Sequence, residues 1–153
     1  MKKIVLIFIL ILLQSCNSKV ENTFYKIANN YSFNSTISSS DKIIVRPKKL
    51  NQTESTRNDS YFENKVIFKT EKSEEIKMFE KLFENSNYTD YCCCPETNYC
   101  IDFYKDSKKI DTFFADTLEF KNKIRIFESG YQYSFIIEKA KWKTFLNEIR
   151  INK

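Results

Sequence analysis

Apolar positions recur along this chain in two rhythms, and the changes between them mark out the elements. Lys42–Arg46 (KIIVR) is a short apolar run ended by Pro47, which suits a first strand at a sheet edge. Residues 48–60 are polar and read as a loop. Tyr61–Lys69 (YFENKVIFK) reads as a strand with Val66 and Phe68 on one face and Ile67 on the other. The period then lengthens. Ile76, Phe79, Leu82 and Phe83 fall at helical spacing, with Ser73 placed as N-cap and Glu74 and Glu75 in the first turn beside the positive end of the dipole. Asn85-Ser86-Asn87 closes that helix. Tyr99–Lys105 and Lys109–Ala115 form a hairpin across Asp106-Ser107-Lys108, with Ile101 and Phe103 sharing one face and Ile110 and Phe114 another. Lys123–Glu128 and Tyr131–Ile137 form a second, turning at Ser129-Gly130, where the sole glycine points to positive φ. Tyr133, Phe135 and Ile137 line up on one side. Trp142, Phe145, Leu146 and Ile149 then mark an amphipathic helix within Lys139–Arg150. The pattern predicts an α+β fold: an antiparallel sheet of about five to six strands with two helices packed on one face.

The start of the chain follows neither rhythm. MKKIVLIFILILLQSC opens with Lys2 and Lys3, continues through an unbroken apolar run from Ile4 to Leu13, and ends in Gln14-Ser15-Cys16. The run is ten residues long, against about 20 for a spanning helix. Basic residues, a short apolar core and a small residue before the cut are the order of a secretory signal. Leu13-Gln14-Ser15-Cys16 resembles the lipobox of bacterial lipoproteins. The resemblance implies cleavage before Cys16, a diacylglyceryl group on its thiol and acylation of its new amino group. Residues 1–15 are then a cleaved signal peptide, 16–40 a lipidated flexible tether rich in Asn and Ser, and 41–153 a single globular domain. Two or three acyl chains hold a protein far more firmly than one, at about 0.8 kcal/mol per buried methylene. Asn17, where an Asp would favour inner-membrane retention, points to the outer membrane of the cell envelope.

Charge narrows the partners. Loss of Lys2 and Lys3 lowers the formal charge from +5 to +3, and acids and bases alternate along the chain. That interspersion describes a solvated surface, and with export it argues against nucleic acid. The fourteen Phe and nine Tyr accompany abundant Lys, Asn and Ile, as AT-rich coding would produce, so they are not read as a stacking platform. Histidine is absent, which excludes Ser-His-Asp and Cys-His catalysis and His-ligated zinc.

The chemical oddity of the mature chain is Cys92-Cys93-Cys94-Pro95 followed by Cys100. Export makes disulfides the default, and four thiols allow three pairings. In an extended strand Cys92 and Cys94 point one way, so either could meet Cys100 after a turn over residues 95–99. Thiolates also suit a soft metal, but the spacing shows no repeated C-x2-C pair. Free, vicinal redox or inert buried thiols are the third reading. Asp102, Asp106, Asp111 and Asp116 gather on the first hairpin without the spacing of a calcium loop, and read as solvated charges. No catalytic residue, metal ligand or cofactor is expected. The expectation is a membrane-anchored envelope lipoprotein with a small non-catalytic domain that binds a protein partner. The alternative is a metal-handling or thiol-redox protein using Cys92, Cys93, Cys94 and Cys100.

Overall fold

The computed structural model describes residues 33–50, 58–84, 86–89, 95–130 and 134–151, the side chains of 87 and 88 excepted. The expected signal, Cys16, most of the expected tether, Cys92, Cys93, Cys94 and Tyr133 lie outside the described residues. Thr36–Lys153 is one compact unit, and all that follows concerns it unless stated.

Seven strands form one sheet: β1 Lys42–Pro47, β2 Phe68–Thr70, β3 Asn87–Thr89, β4 Tyr99–Lys105, β5 Lys108–Asp116, β6 Lys123–Glu128 and β7 Ser134–Glu138. Their order is β2-β1-β4-β5-β6-β7-β3, and every pairing is antiparallel. Helices α1 Ser73–Lys81 and α2 Lys139–Glu148 pack with this sheet to make the α+β fold. Both hairpins and both helices stand where the periodicity puts them. β1, however, is internal, not an edge. Pro47 is tolerated there because it is the strand's last residue, where its missing N–H costs little; its carbonyl accepts from Glu63 N at 3.0 Å. The strand expected over 61–69 shrinks to β2, preceded by a 3-10 turn at Asp59–Tyr61. β3, too short for a period, goes unread in the sequence. Residues 33–39, within the stretch read as tether, are helical, and Ile37 is buried. Thr36 Oγ1 donates to Asp111 Oδ2 at 3.1 Å, which ties Thr36 to β5.

Registry assigns each strand residue to a face. Ile43, Val45, Ile101, Phe103, Phe113, Ala115, Ile124, Ile126, Phe135 and Ile137 share the face that carries the helices, and all are buried. Phe79 of α1 anchors the layer, with ring centroids 5.5 Å from Phe103, 5.3 Å from Phe145 of α2 and 5.3 Å from Phe83. Trp142 lies edge-on to Tyr99 at 5.8 Å. Offset and edge-on aromatic pairs of this kind contribute about 0.5–1.5 kcal/mol each beyond the area they bury. Because β2 and β3 occupy opposite edges yet follow one another in sequence, α1 carries the chain across the whole helical face.

Three local expectations change. Lys72, not Ser73, is the N-cap of α1; its carbonyl accepts from Glu75 N and Ile76 N, and its own side chain makes no capping hydrogen bond. The tight turn between β4 and β5 puts Asp106 at φ 47° and Ser107 at φ 63°, whereas no described glycine has positive φ. The register then slips between Phe103 and Tyr104. Ile110 is the extra residue, 43% exposed, so it shares no core face with Phe114. That bulge lets Lys109 pair opposite Tyr104 on one face while Asp111 pairs opposite Phe103 on the other.

Candidate functional site

The face turned away from the helices is where polar chemistry collects. Arg46 on β1, Cys100 and Asp102 on β4, Thr112 on β5 and, through the bulge, Lys109 all project there. Asp102 is 1% exposed and its two oxygens are fully engaged. Arg46 donates to Asp102 Oδ2 through Nε at 2.9 Å and lies 2.7 Å from it through Nη2. Thr112 Oγ1 and Lys109 Nζ donate to Asp102 Oδ1 at 2.9 and 3.3 Å, and Cys100 Sγ lies 3.6 Å from the same oxygen. Arg46 Nη2 also reaches Asp59 Oδ1 at 2.5 Å, and Lys109 Nζ stands 3.9 Å from that atom. Two cations thus face two carboxylates, and the group is neutral.

Burial opposes the Arg46 charge, but its hydrogen bond to Asp59 and the field of Asp102 prevail and raise its pKa. Asp59 is held below the usual carboxylate range, chiefly by that hydrogen bond. Lys109 is raised, the Asp102 charge outweighing its partial burial. The Cys100 thiol is pushed up to about 12, first by burial and then by Asp102 beside it. A thiol in that state is a poor nucleophile at neutral pH. It is free and buried, packed with Phe62, Phe114 and Phe127. Its sulfur points into this apolar and charged layer on the sheet, and Cys92 and Cys94, the expected partners, lie outside the described residues.

A second cluster lies across the same face. Arg125 on β6 grips Glu119 with two bonds of 2.6 Å, from Nε and from Nη2. Its Nη1 donates to Thr89 Oγ1 and Ser134 Oγ, each at 2.7 Å, so one guanidinium ties β3, β6, β7 and the β5–β6 loop together. Asp116 secures that loop: Oδ1 accepts from Leu118 N and Glu119 N at 2.8 and 3.1 Å, and Oδ2 from Glu96 N at 2.7 Å. Asp116 is 2% exposed.

Asp102 and Asp116 are thus buried structural acceptors, contrary to the solvated reading. Asp106 stays at the exposed turn, where its N–H donates to Asp41 Oδ2 at 2.7 Å, and Asp111 binds Thr36. The arginines escaped the sequence reading, although a signal was there. Only four of the 25 basic residues are arginines, and two of those sit within predicted strands. In so lysine-rich a chain, Arg at a strand position marks a site that needs a planar, permanently charged fork. Among the described residues no group of three His, Cys, Asp or Glu side chains is disposed to hold a metal ion, and no helix is long and apolar enough to cross a membrane.

No protein-family model matches the chain, and no curated protein does. Among solved structures it is similar to a thioesterase-like protein from Clostridium sporogenes, with TM-score 0.44 and 18% identity, over 76% of this chain and 98% of that one.

Proposed function

We propose that the protein is a cell-envelope lipoprotein, moored through acyl chains on Cys16, whose α+β domain is a non-catalytic binding module. The observation that carries the mooring is the run of two lysines, ten apolar residues and Leu13-Gln14-Ser15-Cys16. What supports a non-catalytic domain is the way the buried ionisable groups are spent on one another. Asp102 is saturated by Arg46, Thr112 and Lys109, Arg125 is gripped by Glu119, and the Cys100 thiol stays protonated. A general base or nucleophile needs an unspent lone pair facing solvent or substrate. Asn17 favours the outer membrane as the resident bilayer. The domain then acts on a protein partner held at the same surface.

Metabolic labelling with a clickable palmitate tests the mooring. Label is expected on the parent and lost in Cys16→Ala, which accumulates at its unprocessed mass; a dark parent removes the anchor. Gentle cross-linking in intact cells tests the partner. A discrete adduct that survives membrane extraction supports it, and recovery of the monomer alone refutes it.

A further inference from the structure

The two most exposed large apolar side chains among the described residues stand at one end of the sheet. Leu50 is 100% exposed and Leu118 66%. Both follow the strand end that Pro47, Tyr99 and Ala115 define, and hydrogen bonds join the loops that carry them. Asn98 O accepts from Lys48 N at 2.8 Å, and Asn98 Oδ1 accepts from Thr117 N at 2.7 Å. Thr117 O accepts from Lys139 Nζ at 2.6 Å, and Lys139 N donates to Asn122 O at 3.0 Å. Residues 48–50, the β5–β6 loop and the start of α2 therefore form one rim.

Buried charge holds that loop in place. Asp116 Oδ1 accepts from the Leu118 and Glu119 amides, Arg125 forks Glu119, and its guanidinium lies 5.6 Å from the centre of the Phe120 ring. A single exposed leucine is ordinary, but solvent alone asks for no leucine in a fixed position. Lysines surround it. The segments 48–50, 117–123 and 139–141 carry Lys48, Lys49, Lys121, Lys123, Lys139 and Lys141 with one acid, Glu119, which Arg125 neutralises; Glu63, Glu96 and Glu138 lie beside them.

We propose that this end of the domain rests on the surface of an anionic bilayer, with Leu50 and Leu118 entering the acyl boundary and the lysines meeting the headgroups. The inference rests on the reading of the protein as moored at Cys16, and adds how the moored domain lies. A bilayer accepts separate apolar tips, because each buries its own area while lysine stems snorkel between them. A stable protein interface needs about 1,000 Å² or more of complementary surface, and lysine is depleted there. The chain enters β1 at the opposite end, where Asp41 N donates to Tyr104 O at 3.0 Å. β5, with nine residues, is about 30 Å long, whereas residues 16–35 can span up to about 70 Å. The mooring thus leaves this end free to reach the bilayer.

The test uses the chain from residue 16 onward with Cys16→Ser, which keeps every described element and carries no acyl group of its own. It is sedimented with vesicles of phosphatidylcholine and phosphatidylglycerol. Binding is expected, and at least about tenfold weaker binding to phosphatidylcholine alone. Lys121→Gln with Lys123→Gln is expected to weaken it about tenfold or more, each lysine at an anionic surface being worth roughly fivefold. Leu118→Ser is expected to weaken it about tenfold with melting unchanged. Lys105→Gln with Lys108→Gln, and Ile110→Ser, make the same changes at the far end and are expected to bind as the parent does. The fluorescence of Leu118→Trp is expected to shift to the blue on vesicles and to be quenched by lipids brominated on the acyl chain. Equal binding to neutral vesicles, equal losses from both ends, an unquenched Leu118→Trp or no binding would each overturn the inference. So would loss of the cellular cross-linked adduct in Leu118→Ser with no vesicle binding by the parent, since the surface would then belong to a protein. The readout is independent of palmitate labelling. A labelled chain whose unacylated form ignores vesicles loses only this surface, and an unlabelled chain that binds them loses only the mooring.

Discussion

Asp102 and Asp59 hold the same guanidinium at similar distances, 2.7 and 2.5 Å, but their surroundings differ sharply. The Asp102 side chain is 1% exposed and that of Asp59 68%. If burial sets the strength of an ion pair, the two neutralising substitutions must differ in cost. Asp102→Asn leaves the Arg46 side chain, itself 10% exposed, without its buried counter-charge. Breaking a buried pair from one side costs about 3–5 kcal/mol, and the amide retains some hydrogen bonding, so about 3–4 kcal/mol is expected. Asp59→Asn removes a screened partner and should cost under about 1 kcal/mol. A unit from Thr36 to Lys153, at about 0.05–0.15 kcal/mol per residue, is stable by roughly 6–18 kcal/mol. Asp102→Asn should therefore fold, with Tm lowered by roughly 10–20 °C. The pair Arg46→Met with Asp102→Leu should be milder than Asp102→Asn alone, because Lys109 and Asp59 remain to neutralise each other. Urea unfolding followed by the fluorescence of the single tryptophan, the buried Trp142, reports all four proteins. A cost for Asp59→Asn equal to that of Asp102→Asn, or a double variant worse than the single, would refute the reasoning.

Three other outcomes are expected. Cys100 favours its protonated form in the fold, with a pKa near 12 against 9.0 as a model thiol, so its contribution to stability is complete below pH 9 and is lost as pH rises towards 12. Urea midpoints across that range should fall less steeply in Cys100→Ala than in the parent, and an equal slope would show that the thiol is not responsible. Arg125→Lys keeps the charge but loses the fork on Glu119 and the bonds to Thr89 and Ser134. It should cost about 1–3 kcal/mol, with hydrogen exchange rising first in β3. Ser107→Gly relieves a left-handed serine at φ 63° and should stabilise by about 1 kcal/mol in the same urea assay.

Periodicity alone placed both hairpins and both helices, because their apolar positions face one continuous core. Sheet order was not legible. Nothing local tells β1 that its neighbours are residues 68–70 and 99–105, or that residues 87–89 will close the far edge. The polar face misled for a related reason. In YCIDFYK, Asp102 occupies an alternate position that reads as outward, and only the pairing with Arg46, 56 residues away in sequence, makes its burial tolerable. Gly130 drew the turn prediction, yet the positive φ values fell on Asp106 and Ser107, where the two-residue link between paired strands demands them. That the Cys100 thiol packs beside Asp102 and Phe114 was hidden as well, because spacing cannot show which way a side chain points. The two arginines were the one available clue to the buried charge, visible only against the lysine background.

The passage of α1 from one border of the sheet to the other acts as a fixed-length strap. Residues 71–86 must bridge every strand between Thr70 and Asn87, so the contour available there limits how far the sheet can flatten. Deleting one helical turn, about 5.4 Å of rise, would draw the borders towards each other and curl the sheet. Lengthening the strap would let either border peel away and expose unpaired backbone to neighbouring molecules.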